Sequence, residues 1–314
     1  MAPGIPAEVR ELKALAGDGE AQAALAARLL NPRKGLAVVQ AALGVAIRYP
    51  QPANRSALFD LYHYYAEHAT RDPACYVRSQ ILQALRPVAE MTDLPFFWAA
   101  AETYVFPPPE FTEEGGLLRA NALLVINDLD DGPARYAATR LLVDEHTAPM
   151  SGEPAVTAAQ VLAGLGEQLP LYLYAMQPGD RILPEVGAQV LRGLANLPQP
   201  MLGQVIARFV HADPPPAGPV IAGLFDMLLA CETMPEAGHV YLVEFLGGHS
   251  QLDLYRYLAT LLVTTPGEAG WAVFEEAAPR EDVPARLRIL CEALDVALDQ
   301  RRAAALATKL RARL

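Results

Sequence analysis

Gln160-Val161-Leu162-Ala163-Gly164-Leu165 decides the fold, because the chain writes it again as Gln189-Val190-Leu191-Arg192-Gly193-Leu194 and, earlier, as Gln80-Ile81-Leu82-Gln83-Ala84-Leu85. The shared pattern is Gln, β-branched, Leu, any residue, small, Leu. Fainter echoes run through Arg288-Ile289-Leu290-Cys291-Glu292-Ala293-Leu294 and Arg119-Ala120-Asn121-Ala122-Leu123-Leu124. A Gly or Ala one turn along a helix lets a neighbouring helix approach closely, so each copy is expected to stack against the next.

The flanking sequence keeps the same period. After Pro133, residues Ala134, Ala137, Ala138, Leu141 and Leu142 share one helical face; after Pro154, Ala158, Val161, Leu162 and Leu165 do; after Pro184, Val186, Val190, Leu191 and Leu194 do. Each segment opens on a proline, which suits a helix start because its missing N–H would have had no partner there. Further helices are predicted over 56–69, 94–104, 168–176, 200–210, 238–246 and 267–277. No strand-like alternation persists. Helix pairs recurring every 30 to 40 residues or so describe an α-solenoid of stacked antiparallel pairs, and the fold class is all-α.

Composition agrees. Of 314 residues, 52% are apolar, 19% charged and only 7% aromatic, which supports extensive burial by close helix packing and excludes a disordered chain. The 27 prolines cluster between apolar runs and punctuate them. Net charge is −11, with residues 101–284 carrying 24 acidic groups against 8 basic ones. That middle repels phosphate backbones and argues against a nucleic-acid groove. Cys75, Cys231 and Cys291 are odd in number and far apart, as expected of buried thiols in a reducing compartment. The N-terminus has no basic region followed by an apolar core, and the most apolar stretch, 218–231, is short for a membrane span and interrupted by Asp226. A cytoplasmic protein without membrane contact is expected.

Glu153-Pro154-Ala155-Val156-Thr157-Ala158-Ala159-Gln160-Val161-Leu162-Ala163-Gly164-Leu165-Gly166 resembles the second helix of a HEAT repeat, as does Asp131-Gly132-Pro133-Ala134-Arg135-Tyr136-Ala137-Ala138; Asp72-Pro73 followed by Val77-Arg78 is similar with one extra residue. The resemblance covers residues 72–195 and is degenerate elsewhere. It implies a HEAT-like solenoid in which Asp72, Arg78, Asp131 and Arg135 tie the turns and neighbouring repeats together. It also implies protein–protein scaffolding, although a minority of the family, such as the HEAT-like DNA glycosylases, are enzymes. On these grounds the chain is one array over 1–314: N-terminal helices over 1–55, degenerate helix pairs over 56–298 with a Pro/Gly break at 106–116, and a capping helix over 299–314.

Signals of chemistry are few. Asp128, Asp130, Asp131 and Gly132 suggest a calcium loop, but starting at Asp128 puts Gly at the fifth position and Thr139 at the twelfth, so the register fails. None of His63, His68, His146, His211, His239 and His249 forms a His-x-x-x-His pair, and Cys-x-x-Cys is absent. Gly247-Gly248-His249-Ser250 reads as a helix end followed by a cap at Ser250 with Asp253. No catalytic residue, cofactor or metal ligand is assigned, and the chain is read as a non-enzyme.

The candidate contacts for a partner are the repeat glutamines Gln80, Gln160 and Gln189, at the edge of the apolar stripe, and the aromatic residues Tyr64, Tyr65, Trp98, Tyr172 and Tyr174. The glutamines either hydrogen-bond between repeats or pair with an extended peptide, a basic one given the acidic middle. The 106–116 segment is a lid or an inter-repeat linker, stiff at its prolines and flexible at Gly115-Gly116. A protein-binding scaffold is therefore expected; a HEAT-like enzyme acting on nucleic acid and a purely structural subunit of a larger complex are the alternatives.

Overall fold

The computed structural model describes residues 5–248 and 251–314, in which eighteen α-helices and no strand occur. The all-α expectation therefore holds. His249 and Ser250, and with them the cap read at Ser250, lie outside the described residues. The chain divides into two compact units, Met1–Val161 and Leu162–Leu314.

The first unit contains α1 (Ala7–Ala14), α2 (Gly19–Leu29), α3 (Leu36–Arg48), α4 (Arg55–Glu67), α5 (Tyr76–Leu85), α6 (Leu94–Ala101), α7 (Gly116–Leu129), α8 (Asp131–Leu142) and most of α9 (Ala155–Gly164). Helices α3, α5 and α7 pack side by side as one layer, with α2 on α3, α4 on α5, and α6 and α8 on α7. Edge-on rings join α4 to α6: Phe96 lies 4.8 Å from Phe59 and 4.7 Å from Tyr62, centroid to centroid.

The second unit repeats this order with α10 (Gln168–Ala175), α11 (Pro184–Arg192), α12 (Gln199–Val210), α13 (Gly218–Ala230), α14 (Glu236–Gly248), α15 (Leu252–Thr264), α16 (Glu268–Ala277), α17 (Pro284–Asp295) and α18 (Gln300–Arg311). Helices α11, α13, α15 and α17 form one layer, α12, α14 and α16 the other, and α18 closes on α17. Prolines stand in the first turn of α6, α11, α12, α13 and α17, where they cost no backbone hydrogen bond.

The repeat register places Leu82, Leu162 and Leu191 in the core, all fully buried. Its small residue behaves less uniformly. A Cβ on Gly193 would come 2.6 Å from Leu171, so this glycine admits α10, but Gly164 faces open space. The tightest approaches fall at glycines outside the motif: a Cβ on Gly223 would sit 2.6 Å from the Ala188 backbone, and one on Gly270 2.3 Å from the Leu262 carbonyl. These glycines set the α11–α13 and α15–α16 spacing.

One turn residue also changes. Asp130, not Asp131, caps α8, its Oδ1 accepting the Gly132 N–H at 2.8 Å, because Asp130 has the extended backbone of a cap while Asp131 is already helical. At the C-terminus Ala303, Ala307 and Leu310 are buried on α17, but Leu314 is exposed beyond the helix end. Arg302 bonds Glu275 and Glu268 and lies 4.9 Å over the Trp271 ring.

Candidate partner-binding surface

The exposed side of the α11–α13–α15–α17 layer carries a connected row of polar side chains. Arg192 Nε donates to Asp226 Oδ2 at 2.7 Å, the Tyr257 hydroxyl donates to Asp226 Oδ1 at 2.6 Å, and Arg192 Nη1 reaches Gln189 Oε1 at 3.5 Å. One helix further on, Arg256 Nη1 donates to Glu292 Oε2 at 2.9 Å. Burial, and then the bond to Asp226, push the Tyr257 hydroxyl up to about 12, so it stays a neutral donor. The α5–α7 layer of the first unit has its own ties. Gln83 Nε2 donates to Asn121 Oδ1 at 3.3 Å, and Arg86 binds Asp128 through two bonds of 2.5 and 2.9 Å.

Arg192 and Gln83 occupy the same motif position, the one that varies freely between copies. Both make a cross-helix tie there, whereas the third strong copy carries Ala163, and the neighbouring glutamines do not act alike. Gln80 is half-buried with an unpartnered Oε1; Gln160 is exposed; Gln189 supports Arg192. Three equivalent residues thus meet three environments, and no glutamine ladder forms among them. Asn121, on the helix beside α5, likewise keeps its buried Nδ2 unpartnered.

Of the aromatic candidates, Tyr65 and Tyr174 are core residues and present no surface to a partner. Tyr174 keeps only its hydroxyl engaged, accepting the Leu183 N–H at 3.4 Å, and burial raises its pKa. The other three are half-exposed. Tyr64 stacks on His68 at 4.3 Å and accepts a bond from Arg71; Trp98 Nε1 donates to Glu102 at 3.1 Å; the Tyr172 hydroxyl donates to Gln204 at 2.6 Å. Tyr64 and Trp98 are tied to residues a turn or two along the chain, and Tyr172 on α10 to Gln204 on α12.

Buried acid–arginine clasps set the starts of α5, α7 and α17. Asp72 accepts the N–H groups of Val77 and Arg78 at 2.9 and 3.1 Å and pairs with Arg78 Nε at 3.1 Å, bonds that tie the turn at the start of α5. Glu281 accepts the N–H groups of Asp282 and Val283, takes a 3.2 Å bond from the Tyr255 hydroxyl and lies 2.8 Å from Arg286. Glu113 accepts the N–H groups of Val105 and Gly115 at 3.0 and 2.7 Å and holds Arg119 by two bonds of 2.7 and 2.9 Å. Arg119 further donates to Asp144 and to the Thr103 carbonyl, both at 3.1 Å, and lies 4.1 Å over the Tyr104 ring. An acid five or six residues ahead of an arginine at a helix start is the spacing that locates all three. Of the six residues, only Asp72 and Arg78 are singled out by sequence reading. Asp131 and Arg135 are both exposed and form no such buried pair.

The Glu113 clasp closes the 102–115 segment into a tied loop. Gly115 and Gly116 are buried, and a Cβ on Gly116 would meet the Glu153 carbonyl at 2.8 Å, so the expected flexible glycine end is locked by packing. Phe111 is left exposed at the tip, in the left-handed region at φ 52°.

All three cysteines are free and buried, and burial pushes the Cys75 and Cys231 thiols up to about 11. Among the described residues no three His, Cys, Asp or Glu side chains are grouped to hold a metal ion, and no helix is long and apolar enough to cross a membrane. No family model, no curated protein and no solved structure matches the chain.

Proposed function

We propose that the chain is a HEAT-like α-solenoid that serves as a non-enzymatic protein–protein interaction scaffold, taking its partner on the exposed side of the α3–α5–α7 and α11–α13–α15–α17 layers. The observation that carries this reading is the row Gln189, Arg192, Asp226, Tyr257, which spans three successive helices and stays accessible. The layered helix pairs in each unit support the solenoid assignment. Such arrays present extended surfaces built from equivalent positions of neighbouring repeats. The partner is a basic protein segment. Of the 8 basic residues in 101–284, Arg119, Arg140, Arg192, Arg256 and Arg280 are already ion-paired, so the 24 acids dominate the field there. The reading includes a cytoplasmic setting, in keeping with three buried free thiols.

The test compares proteins co-purified from the native host with wild type, with Tyr257→Ala/Gln189→Ala on the proposed face, and with Arg301→Ala on the exposed side of α18. A partner lost only on the face variant, and bound less at higher salt, supports the scaffold. Identical recovery by all three forms would remove the proposed face. Gln160→Ala separates the two roles of the glutamines: with no repeat ladder to break, its stability stays within about 0.5 kcal/mol of wild type, and only partner capture changes.

A further inference from the structure

The second unit contains a cavity of about 660 Å³ between the ends of α10 and α12 and the starts of α11 and α13. That size falls within the range of small-molecule sites, about 300–1,000 Å³. Three features of its lining differ in chemistry. Ile182, Phe209 and Val220 supply an apolar wall, and the proline-rich 213–217 loop shapes one side. Arg208 is half-buried and fixed: its Nε donates to the Ala175 carbonyl at 2.9 Å and its Nη2 to the Gln177 carbonyl. No carboxylate pairs with it and Nη1 has no acceptor among the described residues. Asp180 and Asp213, the other charged groups of the lining, are exposed to solvent.

A held guanidinium with a spare amino group is a ready carboxylate site, because its geometry is set before the ligand arrives. Two acids in the same lining disfavour a simple anion and favour a ligand that also carries a positive group. Apolar contact must supply most of the remaining affinity. We infer that this cavity binds a zwitterionic apolar ligand, a free apolar amino acid or a short apolar peptide with free ends. Its carboxylate meets Arg208 Nη1, its ammonium meets Asp180 and Asp213, and its side chain lies against Ile182, Phe209 and Val220. This site is separate from the proposed partner-binding face and does not depend on the scaffold reading.

The experiment is a titration of the full chain followed by two-dimensional NMR of backbone amides. The probes are L-phenylalanine, leucyl-leucine, N-acetyl-phenylalanine, which lacks the ammonium, and phenethylamine, which lacks the carboxylate. At least one zwitterion is expected to give saturable shifts at Gly179 and Ala217, and which of the two binds more tightly identifies the source. Removing either charge weakens binding by about tenfold to a hundredfold, the worth of one charged hydrogen bond. Ala217→Trp, at an exposed lining position that donates no side-chain bond, fills the space; it abolishes the shifts while leaving the melting temperature unchanged. Arg208→Gln weakens the carboxylate probes and leaves phenethylamine as it was. Because Arg208 also holds the end of α10, the Ala217→Trp result stands alone if Arg208→Gln fails to fold. Equal binding of phenethylamine or N-acetyl-phenylalanine, persistence of binding in Ala217→Trp, or absence of saturable shifts for both zwitterions overturns the inference.

Discussion

Replacing Arg119 by Met separates buried from exposed ion pairs in one molecule. The Arg119 side chain is 0% exposed, and its partners Glu113 and Asp144 are 4% and 1% exposed. Met fills similar volume but leaves both carboxylates buried without their cation, and the Thr103 carbonyl without its donor. Breaking a buried pair by removing one partner costs about 3–5 kcal/mol. The control is Arg256→Ala, whose pair with Glu292 is 58% and 57% exposed and is worth at most about 1 kcal/mol. The two tryptophans fall one in each unit, Trp98 and Trp271, so a Trp271→Phe background makes fluorescence in urea report the first unit alone. The expected result is a large fall in midpoint at unchanged slope. Adding Glu113→Gln to Arg119→Met should cost less than the sum of the singles by about 1 kcal/mol or more, since one uncompensated charge is then gone. Limited proteolysis gives a second readout, because the 102–115 loop loses its tie and is cut before the helices. If Arg119→Met costs no more than Arg256→Ala, or is additive with Glu113→Gln, the clasp does not hold the loop.

Leu191→Ala should cost about 2–5 kcal/mol, as for other fully buried leucines, whereas Arg192→Ala, on the exposed face of the same helix, should cost about 1 kcal/mol or less; a urea melt ranking them the other way would show the register to be wrong. Burial raises the Glu153 pKa, so the folded state binds a proton more readily than the unfolded chain, and stability falls as pH rises from the unfolded carboxylate value through the folded one. Glu153→Gln therefore stabilises at pH 7, an advantage that shrinks as pH is lowered to about 4, where the unfolded carboxyl also protonates; a stability gap that does not change between those pH values contradicts this. Deleting residues 299–314 uncovers the α17 surface beneath Ala303, Ala307 and Leu310 and breaks both Arg302 bridges. Light scattering should then show association that grows with concentration, and a monomer of unchanged stability would show that α18 is not a cap.

What could be read from the sequence was whatever depends on one helix at a time. Leu82, Leu162 and Leu191 are placed in the core by spacing alone, and Pro184 marks a helix start because its own φ angle and missing N–H do so locally. What could not be read depends on which helix lies next door. Gly164 and Gly223 look alike in sequence, yet only Gly223 meets a neighbouring backbone, because its contact with Ala188 is decided by the stacking of α13 on α11. Gln80, Gln160 and Gln189 differ for the same reason. Tyr64 and Tyr65 are adjacent, but helical geometry turns them about 100° apart, so one stays half-exposed while the other enters the core. Nothing local told which of the two would be buried.

The clasps also bear on what a partner would meet. Each takes an arginine out of solvent together with its acid, and Arg119 takes both Glu113 and Asp144, so the three clasps remove arginines from the surface along with their carboxylates. A clasp needs an arginine because a planar guanidinium can pair with a carboxylate and still reach backbone carbonyls, as Arg119 does with Thr103. The same chemistry makes Arg208 a cap for the end of α10. In a chain with 25 basic and 36 acidic residues, most of the acidic surplus is left outside these clasps. The internal clasps, being buried, are little affected by salt, whereas attraction of a basic partner to that surplus is screened by it. Stability that holds as ionic strength rises, while binding of the proposed basic partner weakens, is therefore the expected combination.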